Sequence, residues 1–389
     1  MAVTGPAARG RTEGVDSAVE SSERGGVAVA GPIGVVFDQP KADAFTGRML
    51  GVLNGGVLAL LCSVGRRTEL FDTMDGMAPA TSAEIAAAAG LSERYVREWL
   101  SAMACGGIVE HEASRNTFYL PPEHANLLTK AAGPTALTHY CRFVSLLGEV
   151  ETEIVEAFHA GGGVPYDRYP QFQELMAELS GHRFAVGLVD QVIPLLPDAV
   201  QRLSDGADLA DVGCGRGRAV QLLAAAFPRS RFVGFDFSTD AISHAVADAA
   251  SAGLTNSQFD RRDAADLQLD ESFDYVTSFD AIHDQAHPDR MLRSIFAALR
   301  PGGAYLCVEP KASSILHENL DHPMGPFVYG VSTMHCMTVS LAYGGEGLGA
   351  AWGEQLARER LHAAGFRDTS VTTMPFDRMN NYFISRKPT

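Results

Sequence analysis

Residues 211–217, DVGCGRG, place glycines at three alternate positions directly after an aspartate. Glycine has no Cβ, so such a stretch can lay its backbone flat against a ligand and enter positive φ without strain. Spacing excludes two phosphate-gripping schemes. A dinucleotide loop needs G-x-G-x-x-G, but after Gly213 and Gly215 the third position holds Arg218, with the glycine one residue early at 217. A P-loop needs a Lys followed by Ser or Thr, and none is present there. Two acids complete the pattern. Asp236 ends the apolar run VGFD, where a carboxylate can accept both hydroxyls of a ribose. Asp263 ends RRDA, where it can accept from an adenine amino group. Together they describe adenosine recognition without phosphate handling.

The surrounding elements must hold these residues at one edge. After residue 205 short apolar segments (ADLADVG, SRFVGFD, SQFDRRDA, FDYVTSFDA, GGAYLCVE) alternate with amphipathic ones (RAVQLLAAAF, stopped by Pro228, and STDAISHAVADAASAG). That alternation predicts an α/β fold over residues 204–389, a doubly wound Rossmann-like sheet with ligands at the carboxyl ends of its strands. Upstream, Thr81 and Glu84 form a capping-box pair, so SAEIAAAA reads as a short helix ended by Gly90. SERYVREWLSAMAC reads as a second helix, with Tyr95, Val96, Trp99, Leu100 and Met103 as its apolar positions, and GIVEHEASRNTFYLP as a hairpin. Helix, turn, helix and wing predict a mainly helical winged-helix domain over residues 31–130. Residues 131–203 read as a helical linker and substrate-pocket segment, broken by the loop AGGGVPYDRYPQF. The first 30 residues carry few large apolar side chains and read as a disordered tail.

Composition narrows the partners. With 389 residues and a formal net charge of −16 the chain is ill suited to broad contact with nucleic-acid phosphates. The recognition-helix position SERYVREW sets Arg94 and Arg97 among Glu93 and Glu98, and the wing carries Glu110 and Glu112, less basic than a DNA-reading face. The six cysteines form no CxxC pair, which fits reduced cytoplasmic thiols. The most apolar run, GVLNGGVLALLCSVG, is short for a membrane span and broken by glycines, so it reads as a buried helix.

Residues 205–310 resemble the class I S-adenosylmethionine-dependent methyltransferases. LRPGGAYLCVE is similar to that family's approach to its fifth strand, and VTTMPFDRMNNYFISRKP to its closing antiparallel hairpin. The winged helix joined to this core further resembles the small-molecule O-methyltransferase group, in which that domain dimerises and roofs the substrate pocket. The resemblance implies S-adenosylmethionine contacts from Asp211, Gly213, Gly215, Asp236, Phe237, Asp263, Ala264 and Phe279. It also implies a homodimer joined through the N-terminal domain and acting on a small molecule, while the cysteines, charge and apolar runs point to a cytoplasmic protein without nucleic-acid or membrane partners.

SFDAIHDQAHPDRML comes directly after the fourth expected strand, so His283 and Asp284 fall beside the cofactor's methyl group. In the O-methyltransferase group a histidine at this place is the general base. His335, in the glycine-rich insertion GVSTMHCMTVSLAYGGEGLG, is too far from His283 in sequence for spacing alone to imply a metal. However, the pair AIHDQ and STMHC resembles metal-dependent α-keto acid C-methyltransferases of peptide-antibiotic biosynthesis. That likeness implies that His283 and His335 hold one transition metal ion, with iron and zinc both suited to the donors. The metal would chelate the keto oxygen and carboxylate of the substrate, Asp284 would remove the β-proton, and Arg168 would hold the carboxylate. Read from the residues alone, Arg168 between Tyr166 and Tyr169 is a surface arginine. Two alternatives stay open: metal-free O- or N-methylation with His283 as base, and a winged-helix regulator that senses S-adenosylmethionine. Phe143, Tyr166, Tyr329 and Met334 are candidate pocket residues.

Overall fold

The sequence's strongest periodic segments become the elements expected of them. The computed structural model describes residues 36–169 and 171–389, so the expected tail at residues 1–30 lies outside the described residues. The first helix, α1 (Gln39–Arg67), precedes α2 (Ser82–Ala89) and α3 (Glu93–Cys105). The capping box forms as spacing dictates: Thr81 Oγ1 accepts from the Glu84 amide, the Glu84 carboxylate accepts from the Thr81 amide, and Gly90 closes α2 at φ 67°. Val96, Trp99, Leu100 and Met103 point α3 into a core, and Trp99 Nε1 donates to the Leu61 carbonyl at 2.9 Å. Tyr95 departs from its expected apolar position and is 81% exposed. On the outer face of α3, Arg94 pairs with Glu98 and Arg97 with Glu93. The wing is the hairpin β1 (Glu110–Glu112) and β2 (Thr117–Tyr119).

The expected buried helix around GVLNGGVLALLCSVG is corrected. Only the last turns of α1, from Cys62, are buried, while Phe45 and Leu50 earlier in it, and Val57, Leu60 and Val64 later, are exposed. By length and composition α1 is long and apolar enough to cross a membrane, because the helix carries its apolar character well beyond the run visible by eye.

Residues 54–389, from the end of α1 through the winged helix and the sheet, form one compact unit. Two helices, α4 (Thr138–Gly148) and α5 (Phe172–Gly187), bridge the winged helix to the sheet. The sheet comprises β3 (Asp208–Val212), β4 (Arg231–Asp236), β5 (Ser257–Arg261), β6 (Phe273–Phe279), β7 (Leu299–Pro310), β8 (Arg367–Met374) and β9 (Asp377–Arg386). Their order is β5-β4-β3-β6-β7-β9-β8, with the first five parallel and β9 antiparallel to both neighbours. A parallel sheet is covered on both faces, and β3 and β6 are buried along almost their whole length. The strand order reverses at β3 and β6, so a crevice opens beyond their carboxyl ends. The helices α6 (Arg218–Ala226) and α7 (Thr239–Ser251) start at that edge, α6 after Gly217 and α7 after the cap residue Ser238. The final hairpin turns tightly between β8 and β9 at Pro375 and Phe376. The expected doubly wound sheet and winged helix are both present.

Candidate active site

A cavity of about 1560 Å³ lies at the carboxyl ends of β3, β4, β6 and β7, beneath α4 and α5. Its sheet side is polar and built largely from backbone. The Gly213 and Cys214 amides donate to the Phe235 carbonyl at 2.8 and 3.0 Å, which folds the 211–217 loop against β4. Gly213 sits at φ 78°, and a Cβ there would stand 2.6 Å from the Ala281 Cβ. Glycine is therefore needed both for the turn and for the close approach of β6's continuation. Asp236 accepts from the Gly215 amide at 2.9 Å and from the Ser238 amide at 2.9 Å, which locks its carboxylate at the cavity wall. Burial raises its pKa against those amide donors.

Asp211 is fully buried and accepts from Thr277 Oγ1 at 2.7 Å; burial pushes its carboxyl up to about 7. Asp263 lies two residues beyond the end of β5, where its Oδ1 accepts from the Ala265 amide at 2.8 Å. Phe237, Asp263, Ala264 and Phe279 all line the cavity, with Asp211, Gly213, Gly215 and Asp236. Every residue expected to touch the cofactor is therefore on one wall.

The roof is different in kind. Tyr140, Phe143, Tyr166, Phe172 and Phe327 line it with edge-to-face rings. His335 belongs to a π-helical turn, Ser332–Cys336, between the helices Gly325–Val331 and Met337–Ala342, rather than to an open glycine-rich loop. Its imidazole stacks on Phe172 with centroids 3.6 Å apart and meets Tyr169 edge-on at 4.7 Å. It is 1% exposed, and neither ring nitrogen has a partner. Burial and the nearby charge of His283 depress it to about 3, so it is neutral.

His283 joins the two walls. Its Nδ1 lies 2.6 Å from Glu309 Oε2, near the end of β7. Glu309 is wholly buried and also accepts from the Ala281 and Ile282 amides, at 3.1 and 2.8 Å, and from Trp352 Nε1 at 3.2 Å. Three N–H groups besides His283 already donate to this carboxylate, so Nδ1 is the donor in the short contact and Nε2 is the ring nitrogen turned away from Glu309; Cys336 also hydrogen-bonds to the imidazole. Burial disfavours an imidazolium here, but the Glu309 carboxylate and the Cys336 thiol outweigh it and raise His283 well above its ordinary value. Asp284 also lines the cavity, and burial lifts its carboxyl to about 7 against the pull of His283.

The structure corrects the expected role of Arg168. It lies outside the cavity, its side chain 57% exposed and paired with Glu153, because the short 3₁₀ turn Tyr166–Arg168 turns Tyr166 inward and Arg168 out. Tyr329 and Met334 also miss the cavity: the Tyr329 hydroxyl accepts from Asn319 Nδ2, and Met334 packs on the cluster around Phe143. Phe143 and Tyr166 line it as expected. Glu309 escaped sequence reasoning, although an acid inside the apolar strand AYLCVE was a visible signal: a buried carboxylate needs partners.

Comparison with known proteins bears on both halves. The family description "Rv2258c-like winged HTH domain" matches residues 56–130, and "Methyltransferase domain" matches residues 203–340. A Fatty-acid O-methyltransferase of Mycolicibacterium smegmatis is 32% identical over 114 residues, 29% of this chain and 40% of its own length. The chain thus spans about two fifths of that curated relative. Among solved structures, human N-acetylserotonin methyltransferase in complex with SAM is similar at TM-score 0.63 and 17% identity, covering 92% of this chain and 100% of the other. The Mitomycin 7-O-methyltransferase gives TM-score 0.66 at 19% identity, covering 90% and 100%. These likenesses show the fold: a winged-helix domain joined to a Rossmann-like α/β domain whose sequence matches the methyltransferase-domain description.

Proposed function

We propose that this chain transfers a methyl group from S-adenosylmethionine to a hydroxyl of a small, largely apolar molecule, with His283 as general base. The observation that carries the proposal is the His283 Nδ1–Glu309 bond at the cavity. The methyltransferase-domain match and the cofactor-side wall support the donor. S-adenosylmethionine supplies an electrophilic methyl group when bound. The chain's own residues do the rest. Gly213 and Gly215 let the backbone lie against the cofactor, and Asp236 accepts from its ribose. Phe237, 43% exposed, offers a face to the adenine. The aromatic roof excludes water and orients the acceptor. Glu309 fixes the His283 tautomer, so that Nε2 takes the hydroxyl proton as the oxygen becomes a nucleophile.

A second reading is favoured by one observation: the buried His335 with both ring nitrogens unpartnered in the same cavity. The residues fit a metal. His283 already has the carboxylate behind its Nδ1 that metal-bound imidazoles use, and His335 is neutral. In this reading His283 and His335 would hold a transition metal, which would supply Lewis acidity toward an α-keto acid of the kind used in antibiotic biosynthesis, and Asp284 would take the β-proton. With Arg168 outside the cavity, the carboxylate has no clamp in this reading.

We also read the chain as a cytoplasmic homodimer joined through the N-terminal part, without nucleic-acid or membrane partners. The domain limits proposed are 31–130, 131–203 and 204–389. Equilibrium dialysis with labelled S-adenosylmethionine, followed by transfer to a panel of hydroxylated aromatics and α-keto acids, tests the function. Transfer to hydroxyls that survives chelation supports the first reading. Chelator-sensitive transfer to keto acids alone overturns it in favour of the second, and no cofactor binding overturns both.

A further inference from the structure

Two cysteines outside the cavity face each other across a helix pair. Arg66, in the last turn of α1, donates through NH1 to Thr138 Oγ1 at 3.3 Å, and its NH2 lies 3.3 Å from His139 Nε2, both at the start of α4. Cys62 stands one turn before Arg66 on α1, and Cys141 one turn after Thr138 on α4. Residues three and four apart share a helix face, so the register that joins Arg66 to Thr138 also turns Cys62 toward Cys141. Cys62 is 5% exposed in the winged-helix core, and Cys141 packs against that same core while remaining partly exposed.

Both side chains pack in the one core beside α3, and each sulfur feels the other: the neighbouring Cys141 raises the Cys62 thiol, and Cys62 lowers Cys141. Of the pair, Cys141 is the sulfur that a solvent oxidant can reach, with the buried Cys62 beside it to resolve the product.

We propose that Cys62 and Cys141 form a reversible disulfide that staples α1 to α4. The oxidant is a hydroperoxide, ROOH. The Cys141 thiolate attacks the outer peroxide oxygen, breaking the O–O bond to give the sulfenic acid and, after proton uptake, ROH. The Cys62 sulfur then attacks the Cys141 sulfur, breaking the S–O bond; the hydroxide leaves as water with the Cys62 proton. Two thiols lose two electrons and the peroxide gains them. The link matters for the cavity because α4 supplies Tyr140 and Phe143 to its roof. A disulfide there also closes a long loop and restrains the unfolded chain.

The test treats the native full-length chain with hydrogen peroxide, quenches it with an alkylating reagent and maps the peptides by mass. The expected result is a monomeric, dithiothreitol-reversible species two hydrogens lighter, with a Cys62–Cys141 cross-linked peptide and two fewer alkylatable thiols. Its thermal midpoint should rise. Cys62→Ala and Cys141→Ala are run alongside, and in both the light species should vanish. In Cys62→Ala, Cys141 should stop at the sulfenic acid, which a dimedone probe captures. Cys141 and Cys62 both still alkylatable after peroxide, Cys141 overoxidised with Cys62 free, or a disulfide joining two chains would each overturn the proposal.

Discussion

Two histidines face one cavity under opposite electrostatics. His283 stands at the sheet side on a carboxylate that four donors hold in place, and its imidazole is pulled toward the charged form. His335 stands in the roof, stacked on Phe172, with no hydrogen-bond partner and a depressed pKa of about 3. The same residue type therefore meets two environments set by its wall: an imidazole drawn toward its charged form where a buried carboxyl group backs it, and a neutral ring among aromatics. The comparison extends to the walls. The sheet side fixes position through backbone amides and glycine turns, which suits the proposed cofactor. The roof fixes shape through rings, which suits an apolar acceptor.

The contrast breaks most sharply at the base. His283→Ala should lower kcat about 10²–10⁴-fold with the best acceptor from the panel, while the cofactor's Kd stays near wild type. Glu309→Gln should cost roughly 10–100-fold in kcat, since a carboxylate that orients an imidazole is removed. The sign of its pH effect is fixed. Glu309 raises the His283 pKa, and only neutral His283 can accept a proton, so wild-type rate falls as pH drops through that raised value. Without the Glu309 carboxylate only Cys336 still opposes burial, and the inflection in the pH–rate profile should move to lower pH. On the cofactor side, Asp236→Ala should weaken S-adenosylmethionine about 10–100-fold by calorimetry, the loss of charge-assisted hydrogen bonds, with little change in kcat at saturation.

A smaller effect tests burial. Asp211 has its folded pKa raised from 3.8 to about 7 by burial. Between those values the folded state binds more protons than the unfolded one, so stability falls as pH rises through that window and the ionised carboxylate is a penalty above it. Asp211→Asn should therefore raise the thermal midpoint of the cofactor-free protein by a few degrees at pH 8, and by less at pH 5. Smallest of all, Arg168→Ala should leave kcat/KM unchanged, as its exposed pair with Glu153 is worth little. A large loss there would return Arg168 to the acceptor.

How much of the molecule was legible in its sequence divides along the same walls. The cofactor wall could be read because its demands are local: glycine at Gly213 for a positive φ and a close approach, an acid at the end of VGFD. The capping box at Thr81 and Glu84 was equally local. The roof was legible only in part, with Phe143 and Tyr166 read as pocket residues, because the rest depends on directions that sequence spacing does not carry. Tyr166 and Arg168 lie two residues apart, and the 3₁₀ turn sends one in and the other out. His335 reached the cavity through a π-turn that no residue pattern announces. Glu309 pairs with His283 only because β6 and β7 are neighbours, a tertiary fact. The exposure of α1 was missed for a related reason: its apolar side chains read as core until the fold shows what covers them.

The most direct test of His283 as a metal-independent base is methyl transfer by His335→Phe, measured beside wild type and His283→Ala after removal of metals by a chelator. Phenylalanine keeps the stack on Phe172 and removes two unpartnered buried nitrogens, a relief of about 1–3 kcal/mol each at most. His335→Phe should be more stable than wild type and retain turnover within a few-fold, while His283→Ala loses it. Equal, large losses from both substitutions, with wild-type activity abolished by the chelator and restored by a transition metal, would contradict that role.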